Sequence, residues 1–119
     1  MYSPGKEDRE SLDYLNDILE SIADIRHFTR DKTQKGLAKD KKTLYAVIRC
    51  FEILGEAVKK VPKDIKKKYP QVPWEEIAGM RDKLIHEYFG VDVDTLWDTI
   101  HEDLSPFEDI ISKIVNDLR

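Results

Sequence analysis

Cysteine is almost missing: Cys50 is the only one in the chain. A lone thiol excludes an intrachain disulfide and any cysteine-built metal centre. It falls inside the apolar pattern "AVIRCFEILGEA", so it reads as a small buried side chain rather than a reactive nucleophile. No apolar run approaches the roughly 18 residues of a membrane span. The first residues, "MYSPGKEDRE", lack the apolar core of a secretory signal. A cytoplasmic protein with no membrane association is therefore expected. Strand signals are scarce too, because no alternating apolar runs are bounded by Asn-Gly or Gly-Gly turns. Neither sign of charge dominates, with 20 Lys and Arg against 24 Asp and Glu.

What is present is helical periodicity. The 119 residues are 40% hydrophobic and 37% charged, which suits one domain, residues 1–119, with a modest core and charged outer faces. Leu12, Leu15, Ile18, Leu19, Ile22 and Ile25 predict a first helix over about 7–29. A polar loop, "TRDKTQKGLAKD", follows with Gly36 inside it. Leu44, Val47, Ile48, Phe51, Leu54 and Val58 predict a second helix over about 40–60. Gly55 stands in that stripe, so another helix should approach closely there. "PKDIKKKYP" reads as a basic turn, with one or two turns of helix at most. Pro73 opens a third helix over about 73–89, ending at Gly90 as a C-terminal cap. "VDVDTLWDTIHEDL" predicts a fourth, capped by Asp92 or Asp94. "SPFE" begins the last, with Ser105 as cap, unless a single helix bends at Pro106. The fold class is all-α: an up-and-down bundle of four to five helices.

Charge is unevenly spread. Residues 30–68 hold thirteen basic and five acidic side chains, whereas residues 87–119 hold two and nine. The two segments either neutralise one another on packing, or the basic third attracts a polyanion. The lysines of "KKVPKDIKKK" are where such a polyanion would be steered.

The third helix carries an anomaly. On a wheel of about 100° per residue, Ile77, Ala78, Leu84, Ile85, Tyr88 and Phe89 share one stripe with Trp74, and Arg81 stands in its middle. A charge there must be paired, with Glu52 or Glu56 the candidates on the second helix, or face a wet cleft or a partner subunit. His86 lies on the flank, and Gly79 leaves room beside it. An arginine and a histidine suffice for metal-free RNA cleavage. The ribose 2′-hydroxyl is the nucleophile, the imidazole moves a proton, and the guanidinium steadies charge on the phosphate. The bland alternatives are an internal ion pair for Arg81 and a rim position for His86. His27 and His101 lie on other helices. With one suitable histidine per chain, the missing acid or base comes from Tyr88, from solvent, or from a twofold-related copy.

Arg81-Asp-Lys-Leu-Ile-His86-Glu-Tyr88 resembles the R-x4-H-x-Y motif of HepT-like proteins, a branch of the HEPN superfamily. "AVIRCFEILGEAVKKVP", "VPWEEIAGMRDKLIHEYFGVD" and "LWDTIHEDLSPFEDII" are similar to the same family, in order, so the resemblance covers nearly the whole chain. It implies a HEPN-like homodimer whose paired motifs face a shared cleft. It implies a ribonuclease needing no metal or cofactor, acting as the toxin of a toxin–antitoxin pair. The implied partners are an RNA substrate and a cognate minimal nucleotidyltransferase antitoxin that transfers AMP to a motif tyrosine. By position, Arg81 and His86 would be catalytic, Asp82 a supporting polar residue, and Tyr88 the AMP acceptor. HEPN domains also serve as non-catalytic, nucleotide- or substrate-binding partner subunits of nucleotidyltransferases, which is the alternative function.

Overall fold

Apolar residues at three- and four-residue steps fall on one side of a helix, and the long helices form where that spacing is sustained. The computed structural model describes the backbone of residues 6–86 and 90–119, and the side chains of residues 10–85 and 90–119. Tyr88 and the side chain of His86 lie outside the described residues. Helix α1 (Lys6–Thr29) buries Leu15, Ile18, Ile22 and Ile25 completely. Helix α3 (Lys41–Lys60) presents Val47, Phe51, Leu54 and Val58 to the same core. The two run antiparallel: Lys60 Nζ stands 5.9 Å above the Tyr14 ring, while Asp24 is close enough to Cys50 to act on its thiol. Cys50 is buried, and burial together with Asp24 raises its thiol pKa. The protonated form of such a thiol is inert.

The polar segment before α3 is not the expected loop. It folds as α2 (Gln34–Lys39), because Leu37 is fully buried and two caps flank it. The Thr33 hydroxyl accepts a hydrogen bond from the Gly36 amide at 3.0 Å. Asp40 ends α2 and caps α3, accepting from the Thr43 amide at 3.1 Å and the Thr43 hydroxyl at 2.7 Å. Lys32 Nζ also donates to Asp40 at 2.6 Å. Lys32 and then Thr43 hold the Asp40 carboxyl well below the usual carboxylate range. A depressed folded-state pKa stabilises the fold above the unfolded-state value of about 3.9, and that stabilisation is lost as pH falls below it. Asp40→Asn should therefore reduce stability at pH 7 and flatten its decline between pH 5 and pH 3. Urea unfolding across that range reads the effect, and parallel pH profiles for the two proteins would refute it.

Helix α4 (Lys63–Lys68) supplies the two turns expected after Pro62 and buries Ile65. Beyond it the predicted third helix is divided. Helix α5 (Trp74–Ala78) and helix α6 (Met80–Leu84) are separated by Gly79, whose backbone sits at φ −93°, ψ 8°. Glycine is a poor helix former, and a break there is cheap. After Leu84 the chain extends. Strand β1 (Ile85–His86) pairs antiparallel with β2 (Gly90–Val91), with Ile85 opposite Val91 and His86 opposite Gly90. The Leu84 carbonyl accepts from the Asp92 amide at 2.7 Å. Backbone groups that a continuing helix would have paired internally are thus paired across a hairpin. Gly90 has φ +77°. A left-handed glycine serves a hairpin as well as a helix cap, so its presence alone did not say which.

Asp92 caps α7 (Val93–Asp98), accepting from the Thr95 amide at 3.1 Å. One π-helical turn (Thr99–Asp103) then leads into α8 (Leu104–Leu118). Pro106 therefore lies inside α8 rather than opening a new helix, and Ser105 does not cap it. A proline inside a helix has no amide to donate and crowds the carbonyl four residues back, here Glu102. The widened turn just before it relieves that conflict. His101 Nδ1 lies 2.8 Å from the Trp97 carbonyl, and because a carbonyl only accepts, Nδ1 is the donor. Ile111 and Ile114 of α8 reach the common core. Arg26 fastens α8 to α1, with Nη1 2.7 Å from Glu108 Oε2 and Nη2 donating to the Ser105 hydroxyl at 2.9 Å. The architecture is the expected all-α bundle, with one short hairpin set into it. No helix among the described residues is long and apolar enough to cross a membrane.

Candidate active site

Gly55 determines how α5 and α6 lie on α3. A Cβ at this position would stand 2.9 Å from the Ala78 carbonyl oxygen, so the two backbones touch as only glycine permits. The sequence expectation of a close helix approach at Gly55 is met. Three residues past Ala78, Arg81 reaches Glu52, three residues before Gly55. Helices α5 and α6 therefore run back along α3 toward its N-terminus, carrying the motif with them.

Arg81 is not buried. Its side chain is 52% exposed, against the expectation of a charge in the middle of an apolar stripe. The wheel assumed one unbroken helix, whereas the break at Gly79 resets the phase of everything after it. Trp74 and Leu84 are buried as expected, and Ile77, Ala78 and Ile85 are partly buried, but Arg81 has turned outward. The reasoning that a buried arginine demands a cleft therefore lapses. Arg81 Nε lies 3.6 Å from Glu52 Oε2, and its Nη1 donates to Asp82 Oδ1 at 3.4 Å. Of the two acidic partners considered for Arg81 on the second helix, Glu52 is the one used. Glu56 pairs with Lys59 instead, at 3.3 Å. Both Arg81 contacts are long and solvated, and pairs of this kind contribute about 0.2–1 kcal/mol. They aim the guanidinium without locking it, and Nη2 has no partner among the described residues. Asp82 is more exposed still, at 82%.

His86 does not share a helix face with Gly79, because α6 ends at Leu84 and His86 belongs to β1. Among the described residues, a Cβ on Gly79 would meet the Glu75 and Glu76 carbonyls, at 3.5 and 3.9 Å. The glycine stands at the break in the helix. Only four residues nonetheless separate Arg81 from His86, and the turn from α6 into the hairpin keeps both on one short connection. A neighbouring apolar cavity of about 330 Å³ lies between α3, α5 and α8, lined by Phe51, Leu54, Ile77, Met80, Leu104 and Phe107 among others. Arg81 does not line it.

The basic segment keeps its charge. Lys59 pairs with Glu56 and Lys60 lies over Tyr14, but among the described residues no ion pair joins Lys63, Lys66, Lys67 or Lys68 to the acidic final third. Tyr69, next in the chain, instead donates its hydroxyl to Asp117 at 2.5 Å. Two exposed side chains beside the Arg81 partner escaped the sequence reading, Tyr45 and Arg49 of α3. The available signal was a tyrosine on the polar face of an amphipathic helix, outside its apolar stripe.

Comparison with known proteins agrees with the motif. The family model described as "Ribonuclease HepT-like" matches residues 18–114. A Methanocaldococcus jannaschii protein, provisionally named as an RNase, is 49% identical over 110 residues, which is 92% of this chain and 95% of the relative. A Thermococcus cleftensis protein named "Probable ribonuclease HepT" is 50% identical over 89% of this chain and 96% of its own. A third, from Caldanaerobacter subterraneus and also provisionally named as an RNase, is 41% identical over 86% of this chain and 91% of its own. No solved structure matches. With a family model spanning the bundle from mid-α1 to α8, and relatives matched nearly end to end, the chain belongs to the ribonuclease HepT-like family.

Proposed function

We propose that the protein is a metal-independent endoribonuclease in which Arg81 and His86 act on one RNA phosphate. The observation that carries this reading is the solvent-facing guanidinium of Arg81, loosely held by Glu52 and Asp82, on the helix that leads directly to His86. A weak surface ion pair is readily exchanged for a phosphate, to which arginine makes charge-assisted hydrogen bonds.

In the reaction, an imidazole removes the proton of the ribose 2′-hydroxyl and that oxygen attacks the adjacent phosphorus. The bond from phosphorus to the 5′-oxygen breaks, and an imidazolium returns a proton to the leaving oxygen. The products are a 2′,3′-cyclic phosphate and a 5′-hydroxyl. Arg81 stabilises the charge that builds on the non-bridging oxygens. Base and acid act on opposite sides of the phosphorus, and each chain supplies one motif histidine. A symmetric homodimer with its two motifs facing one cleft provides the pair.

The protein on this reading is the toxin of a toxin–antitoxin pair, restrained by a cognate minimal nucleotidyltransferase that transfers AMP to Tyr88. Modification would add bulk and a negative phosphate to the motif, in competition with an RNA phosphate for Arg81. The test is to incubate the purified protein with RNA in EDTA. Fragments ending in 2′,3′-cyclic phosphate are expected. Intact RNA together with tight nucleotide binding would replace this reading with that of a non-catalytic partner of a nucleotidyltransferase.

A further inference from the structure

Helix α3 turns Lys42, Tyr45 and Arg49 outward at steps of three and four residues, and all three are exposed. Tyr45 is 61% exposed, more than Phe28 or Ile53, the other large hydrophobic side chains open to solvent among the described residues. Lys42 and Arg49 have no ion pair among the described residues. The two carboxylates of this face are already taken, Glu52 by Arg81 and Glu56 by Lys59. A chain of net charge −4 thus keeps a local row of unneutralised cations around an open aromatic ring.

The position of this row is informative. Glu52 lies seven residues past Tyr45, two turns along the same side of α3 and about 10 Å away. Arg49 falls between them. Because α5 and α6 run back along α3, Arg81 comes down onto this face at Glu52. The cations and the ring therefore form one strip that ends at the candidate catalytic arginine.

We propose that this strip binds single-stranded RNA and delivers it to Arg81 and His86, with Tyr45 stacking on a base and Arg49 and Lys42 holding the phosphates around it. The proposal rests on the ribonuclease reading above. An exposed ring flanked by cations is the combination that single-stranded nucleic acid requires, since every base has a face to stack and every nucleotide a charge. A second copy of the chain fits this strip poorly. A twofold contact would set Lys42 and Arg49 against the same cations of its mate.

The test measures binding of a fluorescent single-stranded RNA by anisotropy in the His86→Ala background, which prevents cleavage. It is paired with steady-state cleavage by chains that retain His86. Tyr45→Ala should weaken binding roughly tenfold or more and raise KM with kcat nearly unchanged, whereas Tyr45→Phe should bind as the parent does. Arg49→Gln should lower the slope of log affinity against log salt by about 0.7. Both side chains are exposed, so circular dichroism should be unaltered. Cleavage with an unchanged KM in Tyr45→Ala would overturn the proposal and leave the ribonuclease reading standing. Binding that depends on Tyr45, without cleavage by any form, would sustain the strip and remove the nuclease. If Tyr45→Ala instead changes the sedimentation of the protein at unaltered RNA affinity, the face seats a second copy and the proposal fails.

Discussion

His86→Ala should lower the rate of RNA cleavage by about 10²–10⁴-fold, the usual contribution of a positioned proton-transfer group. The RNA affinity should hardly change, because an imidazole that moves a proton contributes little to ground-state binding. Arg81→Ala should cost a comparable factor, about 10²–10³, because it removes a donor aimed at charge that grows in the transition state. Arg81→Lys should not restore the rate fully, since an ammonium lacks the planar fork that grips two phosphate oxygens. Arg81 is half-exposed and its ion pairs are weak, so its removal should shift stability by no more than about 1 kcal/mol. That separation makes the experiment clean, because lost activity cannot be lost folding. Single-turnover cleavage of end-labelled RNA in EDTA gives the rates, and urea unfolding gives the stability. Either variant cleaving within a few-fold of the parent would remove that residue from the reaction.

Gly55→Val should destabilise the fold by about 1–3 kcal/mol, seen as a Tm lower by several degrees. Two effects oppose each other here. Replacing a helical glycine gains up to about 1 kcal/mol of backbone propensity, most for alanine and less for a β-branched residue. Against this, the new Cβ would stand 2.9 Å from the backbone carbonyl of Ala78, and valine adds two methyl groups to the crowding. A backbone carbonyl cannot swing aside as a side-chain tip would, so the clash wins. Gly55→Ala should fall between, with propensity offsetting part of the strain. The displacement of α5 matters for function too. It lifts α6 from α3 and opens the contact between Arg81 and Glu52, so cleavage should fall even where the protein remains folded. Thermal and urea unfolding, with activity measured well below Tm, test both parts. A Gly55→Val protein as stable as its parent would show that the two helices do not approach as described.

Gly55 and Gly79 show what could be read in advance and what could not. Both are glycines in helical patterns. The first lay in the middle of a long apolar stripe, and a stripe with a missing side chain has one plain meaning, the close approach that Ala78 makes. The second lay on the flank of a stripe of equal quality, yet the chain breaks there. Periodicity records which residues prefer to be buried together, not whether the backbone between them stays helical. The fate of Arg81 followed from that. Its predicted burial depended on helical phase carried across Gly79, and the phase was not carried. Gly90 was equally ambiguous, since its left-handed backbone suits a helix terminus and a hairpin alike.

The amino-acid sequence by itself determined the helical class, the two long helices α1 and α3, a cap at Asp92 or Asp94, the burial of Cys50 and the motif pattern through Arg81 and His86 that carries the family resemblance. Each of these is a local preference or a repeat of side chains along one face, which neighbouring residues suffice to encode. Tertiary structure alone decided that the polar segment around Leu37 is a helix, and that α6 gives way to a hairpin. It also decided that Arg81 faces solvent beside Glu52, on the face of α3 that carries Tyr45 and Arg49. Those outcomes depend on contacts between separate elements, where burial and backbone pairing outweigh what any short stretch prefers.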